Sequence, residues 1–189
     1  MKTFLISLRA VIVLTILLGL VYPLMMTGAA QVLFPHAANG SLVMRGDSAI
    51  GSELIGQSFG DAKFFHGRPS AAGTGYDGLS SGGSNLGPTS QGLIDRITHD
   101  RDSLSKLYPE LPKEWPADML TTSASGLDPD ISPATALAQA PVVARTNGFD
   151  PKSVEKLVRD HIVGRDLGFI GEERVNVLAL NQALLAMKK

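Results

Sequence analysis

The 189-residue chain contains no cysteine. This absence excludes disulfide bonds, thiolate metal ligands and a cysteine nucleophile. A strong charge of either sign is also missing, because 17 Lys and Arg residues balance 18 Asp and Glu residues to a formal net charge of −1. No cluster of basic residues stands out, so nucleic acid is not expected as a partner, since binding to its phosphates requires clustered positive charge.

The common sequence signatures of enzyme active sites are missing as well. No Gly-Lys pair occurs, which excludes a Walker A phosphate-binding loop. Neither G-x-S-x-G nor H-E-x-x-H occurs. The segment GTGYDG at 73–78 matches a dinucleotide-binding pattern by letter only, because no predicted strand precedes it and no predicted helix follows it.

Metal binding has weak support in the sequence. The four histidines, at positions 36, 66, 99 and 161, have no ligand spacing with each other, and we expect His161 to pack in the core. The acidic segment GLDPDISP at 126–133 offers Asp128 and Asp130 as cation ligands. An Asx-type turn before a capped helix is the favoured interpretation of these two residues.

Apolar sequence is concentrated near the N-terminus. Between Arg9 and Arg45 the chain has no Asp, Glu, Lys or Arg. Residues 10–34 are predicted to form a transmembrane helix, because about 20 apolar residues suffice to cross the hydrocarbon. Pro23 is expected to kink this helix. A cleaved secretory signal is the alternative, but the apolar run is longer than a usual signal and lacks a clear cleavage site.

The flanking charges predict the orientation of this helix. Lys2 and Arg9 lie on its short N-terminal side, so the positive-inside rule places residues 1–9 in the cytoplasm. Residues 35–189 then form one soluble domain on the outer face. The expected fold class is α+β, with a single N-terminal transmembrane helix followed by one small extracytoplasmic α+β domain.

The first half of the soluble part is predicted to be rich in loops and short strands. Strands are expected at 52–59 and 63–67, around a turn at Gly60-Asp61, and a further strand at 116–125. Residues 35–40 are predicted as a short polar linker. Residues 68–90 have no predicted element, and so long an irregular segment is typical of a functional or disordered loop.

The second half is predicted to be helical. Apolar residues recur at helical spacing, and capping residues precede several of these stretches. Pro141 is expected to kink or split the helix that contains it. The first helix is expected to start after Thr89 or Ser90 and to end at Pro109. The second is expected to have its N-cap at Ser132 and Pro133 in its first turn, and the third its N-cap at Asp150. A last helix is expected within 175–189.

Five sequence blocks follow the N-terminal helix in a fixed order: GSELIGQSF, FFHGRPSA, SGGSNLGPT, SGLDPDISP and RVNVLALN. Together they resemble the C-subunit family of the bacterial Kdp potassium-transporting ATPase, over nearly the whole chain. Departures from the family pattern occur at Ser90-Gln91, where Asn-Pro is usual, at Asp130, where His is usual, and at Pro141. These departures concern local loop chemistry and helix geometry, and they leave the resemblance intact.

The resemblance implies a non-catalytic accessory subunit of a high-affinity, ATP-driven potassium uptake complex in the bacterial inner membrane. The implied partners are a potassium-translocating channel-like subunit, a P-type ATP-hydrolysing subunit and a small membrane subunit. In that family the C subunit is held to aid assembly and to act as a catalytic chaperone that raises the ATP affinity of the hydrolysing subunit. No cofactor of its own is expected, only ATP shared with that subunit.

The Gly-rich loop at 80–90 is the candidate site. LSSGGS at 79–84 is similar to the L-S-G-G-Q signature of ABC transporters, which contacts ATP. The predicted topology opposes a nucleotide role, because it places this loop outside the cell. We therefore favour a structural or interface role on the side from which potassium enters, with direct nucleotide contact as the alternative. The candidate nucleotide-binding residues are Ser80, Ser81, Gly82, Gly83, Ser84 and Asn85.

Two further functions stay open from the residues alone. The first is a stand-alone, membrane-anchored ligand-binding protein of the outer face, with the 68–90 loop as its ligand site. The second is an anchored hydrolase that uses Ser84 or Ser125. The hydrolase is disfavoured because neither serine has an evident base partner.

Overall fold

The computed structural model describes residues 1–108 and 115–188. The chain divides into two compact units, residues 1–50 and 51–189. Within the described residues it contains long and short helices together with two two-stranded sheets. The α+β fold class expected from the sequence is confirmed, as is the long apolar helix at the N-terminus.

The helices are α1 (Lys2–Ile16), α2 (Tyr22–Leu33), α3 (Pro35–Ala38), α4 (Gln91–Leu107), α5 (Pro133–Asn147), α6 (Pro151–Asp160) and α7 (Val177–Ala186). The strands are β1 (Leu42–Arg45), β2 (Ser48–Ser52), β3 (Asp130–Ile131) and β4 (Val175–Asn176). A π-helical segment, Leu17–Val21, joins α1 to α2, and a 3₁₀ turn covers Ala117–Met119.

Helices α1 and α2 and the π-helical segment form one run, Lys2–Leu33, which we call the apolar helix. By length and composition it is able to cross a membrane, and it starts earlier than the predicted span. Pro23 does not break it. In place of a break, the helix has the wider π-helical turn Leu17–Val21 just before the proline. This turn gives room for the proline ring, which would otherwise clash with the preceding turn of an α-helix.

The predicted strands at 52–59 and 116–125 are wrong. In the first region strand β2 ends at Ser52, and it pairs with β1 across the two-residue turn Gly46-Asp47. Gly46 has a φ of +61°, which this tight turn requires. The predicted polar linker at 35–40 contains the short helix α3, and residues 116–125 hold a 3₁₀ turn followed by irregular chain.

The predicted strand at 63–67 is also wrong, and side chains replace the partner strand. The Asn181 amide accepts from the Phe65 N–H at 2.8 Å and donates to the Phe65 C=O at 2.9 Å. The Gln139 amide does the same for His66, at 2.7 and 3.0 Å. These paired hydrogen bonds are called the amide clamp here. Both amide residues are 1% exposed, and Phe65 is completely buried.

The amide clamp attaches residues 65–66 to the centre of the domain. Gln139 lies on α5 and Asn181 on α7, so the clamp joins two helices that are far apart in the sequence to one extended segment. A side-chain amide offers one donor and one acceptor group, as a strand residue does, and so it can satisfy both polar groups of one peptide residue. The segment therefore needs no neighbouring strand.

Helix α5 is the middle of the core. Its small residues Ala136, Ala140 and Ala144 are completely buried, which lets α6 and other segments approach closely. Its Val142 belongs to a second apolar cluster with Tyr108 and Met119, against which the end of α4 packs. The predicted split at Pro141 is wrong, because α5 runs unbroken from Pro133 to Asn147.

The predicted helix starts are confirmed by capping contacts. The Ser132 hydroxyl accepts from the Thr135 N–H at 3.1 Å, and the Asp150 carboxylate accepts from the Ser153 N–H at 3.1 Å. Ser90 precedes α4 as expected, without a side-chain cap. The predicted end of that helix at Pro109 lies outside the described residues.

His161 is at the C-terminal end of α6. It was predicted to pack in the core, but its side chain is only half-buried. Its Nδ1 lies 2.8 Å from the Leu157 carbonyl. Because a carbonyl only accepts, this contact assigns the proton to Nδ1. A structural role for His161 at the helix end follows from this contact.

Replacing Asn181 with Leu tests the amide clamp. The variant leaves the buried Phe65 N–H and C=O without partners, so we expect the free energy of unfolding to fall by roughly 2–5 kcal/mol. Denaturation of the full chain in detergent, followed by the fluorescence of the single tryptophan, Trp115, measures this change. The control Gln91→Leu removes an exposed amide at the start of α4 and should change stability by less than about 0.5 kcal/mol. Equal effects of the two variants would contradict a special role for Asn181.

Candidate functional site

The 68–90 loop is held in place by the chain segment 121–128. Ser70 organises its first part: its hydroxyl donates to the Gly126 C=O at 2.6 Å and accepts from the Tyr76 N–H at 2.7 Å. Further along the loop, the Gly82 N–H donates to the Ser125 C=O at 2.8 Å. The loop is therefore ordered by contacts with a second irregular segment, without regular secondary structure of its own.

Gly126 is the point of closest approach between the two segments. Its φ is +67°, and a side-chain Cβ there would lie 2.6 Å from the Gly82 oxygen and 2.7 Å from the Ala72 nitrogen. Both atoms belong to the backbone, so they cannot move aside as a flexible side chain would. Glycine is thus required both by the backbone angle and by the lack of space.

Arg68 fixes the same two segments by its guanidinium group. It donates to the Thr121 and Thr122 carbonyl oxygens at 3.3 and 3.2 Å and forms an ion pair with Asp128 at 3.1 Å. Burial, helped by the negative charge of Asp128, raises the pKa of Tyr76 to about 12. The Tyr76 hydroxyl therefore stays protonated and donates to the Arg68 C=O.

The six candidate nucleotide-binding residues lie together on this loop, and part of their hydrogen-bonding capacity is already used. The Ser81 hydroxyl and the Gly82 N–H both donate to the Ser125 carbonyl oxygen. Ser80, Ser81 and Asn85 are exposed, whereas Gly82, Gly83 and Ser84 are half-buried. Residues 80–85 include no Lys or Arg, and α4 begins only at Gln91, so neither a cation nor a helix N-terminus adjoins them in sequence.

A cleft of about 280 Å³ lies beside the start of this loop. It is lined by side chains of both polar and apolar character, among them His66, Arg68, Tyr76, Leu104 and Met119. The His66 ring stands edge-on to the Tyr108 ring, with centroids 6.4 Å apart, and its Nε2 lies 3.2 Å from the Asp61 carbonyl. Burial lowers the pKa of His66, and the nearby Asp61 only partly opposes this, so the ring is neutral at pH 7.

A second cleft, of about 500 Å³, is strongly acidic. Two of its carboxylates, those of Asp118 and Asp130, are already engaged. Asp118 accepts from Ser132 and Thr135 hydroxyls at 3.0 and 2.6 Å, while Asp130 accepts from Asn176 and pairs with Arg174 at 3.4 Å. Burial, with the charge of Asp128, raises the pKa of Asp130 against the opposing effects of Asn176 and Arg174.

The Asx-turn interpretation of Asp128 and Asp130 fits the geometry. One Asp128 oxygen accepts from the Asp130 N–H at 3.0 Å, and the other faces Arg68. Among the described residues there is no group of His, Asp and Glu side chains that could hold a metal ion.

The two candidate nucleophilic serines contact other hydroxyls and backbone. Ser84 lies 3.4 Å from the Thr122 hydroxyl, and Ser125 lies 3.4 Å from the Ser123 hydroxyl and accepts from the Leu127 N–H. Within the described part of the chain neither serine hydroxyl is bonded to a histidine or a carboxylate. The contacts therefore offer no general base for hydrolysis.

Comparison with known proteins decides the family. The model of the family described as K+-transporting ATPase, c chain, KdpC, matches residues 4–186. The chain is 52% identical over 181 residues to the potassium-transporting ATPase KdpC subunit of Koribacter versatilis, covering 95% of this chain and 92% of that protein. The chain belongs to the KdpC family.

Other KdpC relatives agree. The KdpC subunit of Caulobacter vibrioides is 54% identical over 171 residues, covering 90% of this chain and 86% of that protein. The KdpC subunit of Myxococcus xanthus is 52% identical, with 97% of this chain and 87% of that protein covered. The resemblance carried by the five sequence blocks is thus confirmed, whereas the role of residues 80–85 stays a prediction.

Several residues that build this region of the KdpC chain have no signature in the sequence. Arg68 and Gly126 act through contacts between segments that are more than 50 residues apart in the chain, and Tyr76 supports Arg68 through a hydrogen bond to its carbonyl oxygen. Gly126 precedes an acidic turn and follows a Ser-rich stretch, which is a turn signal only. The close approach at this glycine could not be read from composition or spacing.

Replacing Gly126 with Ala tests the attachment of the loop. The new methyl group has no room and the positive φ disfavours it, so the contact between Gly82 and Ser125 should open. We expect amide hydrogen exchange of residues 79–86 to accelerate by about tenfold or more. Gly78→Ala is the matched control, because a Cβ at Gly78 meets nothing within 4 Å. Unchanged exchange in Gly126→Ala would refute the attachment.

His66 predicts a pH dependence of stability. Its folded-state pKa is lower than its ordinary value of 6.5, so near that pH the folded chain binds fewer protons than the unfolded chain. The contribution of the neutral His66 ring to the free energy of unfolding is complete above pH 6.5, and it is lost as the pH falls below that value. The thermal midpoint should therefore drop between pH 7 and 5, and His66→Gln should flatten this drop. His99→Gln, at a ring that is 82% exposed, is the control and should keep the wild-type profile.

Proposed function

We propose that this KdpC-family chain is the accessory subunit of an ATP-driven, high-affinity potassium uptake complex, without a catalytic centre of its own. The observation that carries this proposal is the family match over residues 4–186, with relatives named as subunits of a potassium-transporting ATPase. The proposed partners are the potassium-translocating channel-like subunit, the P-type ATP-hydrolysing subunit and the small membrane subunit.

The proposed location is the bacterial inner membrane. The apolar helix supplies a single span, and Lys2 and Arg9 favour a cytoplasmic N-terminus. The domain that follows, proposed as residues 35–189, then lies on the outer face. This orientation separates the 80–85 loop from cytoplasmic ATP by the thickness of the membrane.

The proposed activity is to aid assembly and to act as a catalytic chaperone that raises the ATP affinity of the hydrolysing subunit. With the domain outside, this effect is transmitted through contacts between subunits. The engagement of Ser81 and Gly82 with the Ser125 carbonyl supports a structural role for the loop, since a phosphate would have to displace an existing contact. Direct contact of residues 80–85 with ATP is the alternative within this function.

A stand-alone, membrane-anchored ligand-binding protein is the second candidate function. The cleft beside His66 and Arg68 favours it, because a concave site with apolar walls and a few polar groups is typical of small-ligand binding. Purification in mild detergent separates the two functions. A subunit brings large membrane-embedded partners with it, whereas a stand-alone protein is recovered without them.

The chaperone role is tested on the complex purified with and without this chain. We expect the ATP concentration for half-maximal hydrolysis to rise by roughly fivefold or more when the chain is absent, the usual size of a coupling between sites. A parallel sample carries Ser80→Ala, Ser81→Ala and Ser84→Ala together. If the complex with the triple variant keeps the wild-type ATP affinity, this chain acts indirectly. If its ATP affinity falls as far as in the complex that lacks this chain, residues 80–85 contact ATP directly. An unchanged affinity without the chain contradicts the chaperone role.

The orientation is tested by cysteine labelling. The native chain has no cysteine, so Ser81→Cys and Lys188→Cys each introduce a unique thiol at an exposed position. Lys188 is used because Lys189 lies outside the described residues. A membrane-impermeant thiol reagent, applied to cells with a permeabilised outer envelope, should label at least one of them. Labelling of both only after the inner membrane is opened would place the domain in the cytoplasm.

A further inference from the structure

The apolar helix has, near its middle, a backbone carbonyl that its own helix leaves without a donor. In the π-helical segment Leu17–Val21 the Tyr22 N–H donates to the Leu17 carbonyl, five residues earlier. The Leu18 carbonyl would accept from residue 22 in an α-helix or from residue 23 in a π-helix. Tyr22 is already engaged and Pro23 has no N–H, so neither donor is present.

The position of this carbonyl makes the missing donor costly. Leu18 lies at the centre of the 32-residue run Lys2–Leu33, and none of the run's most apolar part is buried by the chain itself. The Leu18 residue is 59% exposed. The hydrocarbon of a membrane offers neither water nor a donor group, and an unsatisfied backbone carbonyl there costs free energy.

We propose that the helix face at Leu18 binds a neighbouring membrane-embedded helix that presents a hydroxyl or amide side chain, which donates to the Leu18 carbonyl. This inference rests on the proposed function, because the potassium-transporting complex supplies the neighbouring helix. Gly19 adjoins the site without a side chain, and only Thr15 comes within 4 Å of where its Cβ would be. Close approach of a second helix is therefore sterically open.

The chemistry of the site selects this occupant over others. Acyl chains provide no donor, so lipid leaves the carbonyl unsatisfied. A lone water molecule needs two or more further polar partners, which the Leu-rich face of this helix does not offer. A second copy of the chain offers Thr15 as its hydroxyl near the centre of the run. These occupants are distinguished by the test.

The first part of the test restores the missing donor. Pro23→Ala supplies an N–H within the helix, and alanine favours the helix itself over proline. If the carbonyl serves only as a tolerated defect, the complex should be as stable as the wild type or more so. If it accepts from a neighbouring helix, the complex purified in detergent should dissociate roughly three- to tenfold faster, the range for one hydrogen bond between membrane helices.

A matched variant separates the carbonyl from the bend that a proline causes. Exchanging the two residues, as Pro23→Leu with Leu24→Pro, keeps the composition and one proline but moves the missing N–H by one residue. The open carbonyl then turns by about 100° around the helix. We expect faster dissociation here as well, and wild-type stability of the exchanged variant would overturn the proposal.

The second part identifies the occupant. Cysteines at Leu18 and Tyr22 are cross-linked, in the complex, to cysteines placed along the membrane helices of the other subunits. Removing the hydroxyl or amide donor from the cross-linked helix should accelerate dissociation in the wild-type chain and have no effect in Pro23→Ala. The proposal would be overturned if the effects of the donor removal and of Pro23→Ala on the dissociation rate were additive. It would also be overturned by cross-linking only to a second copy of the chain, or by the lack of a cross-link to a donor-bearing helix.

The outcomes also separate this inference from the proposed function. If the wild-type chain purifies without any membrane-embedded partner, both fail. If the partners are present and Pro23→Ala dissociates like the wild type, the function stands and the inference fails.

Discussion

The domain depends on two buried side-chain amides that take the place of a β-strand. Gln139 and Asn181 satisfy both polar groups of His66 and Phe65, and these four hydrogen bonds are 2.7 to 3.0 Å long. An unsatisfied buried peptide group is costly, so the extended segment can enter the core only because these amides meet it. The clamp in turn fixes α5 and α7 relative to that segment.

The consequences of the clamp extend to the candidate site. His66 is followed directly by Gly67 and Arg68. The clamp therefore fixes the backbone position from which the Arg68 side chain extends. Arg68 then holds the 121–128 segment, which carries Gly126 and the Ser125 carbonyl. A loop of more than 20 residues is thus positioned by a chain of polar contacts that begins in the core. This explains how the described part of residues 51–189, where β3 and β4 have two residues each, orders so much irregular chain.

The sequence predicted the parts that depend on local signals. The caps at Ser132 and Asp150 and the helical periodicity that predicts α4 and α6 are local signals, and the structure has these caps and helices. The strand at 63–67 was predicted from β-prone residues, but the partner of a strand is a non-local property, and here side chains took that place. The hairpin at Gly46-Asp47 has a local turn signal, because Gly-Asp is a pair typical of two-residue hairpin turns. Gly126 and Arg68 act across more than 50 residues, which no local pattern reveals.

Native-state amide hydrogen exchange of Phe65 and His66 tests the central claim most directly. Both amides lie in irregular chain, where exchange is normally fast, but both donate to buried side-chain oxygens. If the amide clamp holds the domain together, these amides exchange as slowly as those of Val143 and Ala144 in the middle of α5, through global unfolding. Exchange as fast as that of the exposed loop residue Gly78 would contradict the claim that the amide clamp holds the domain together.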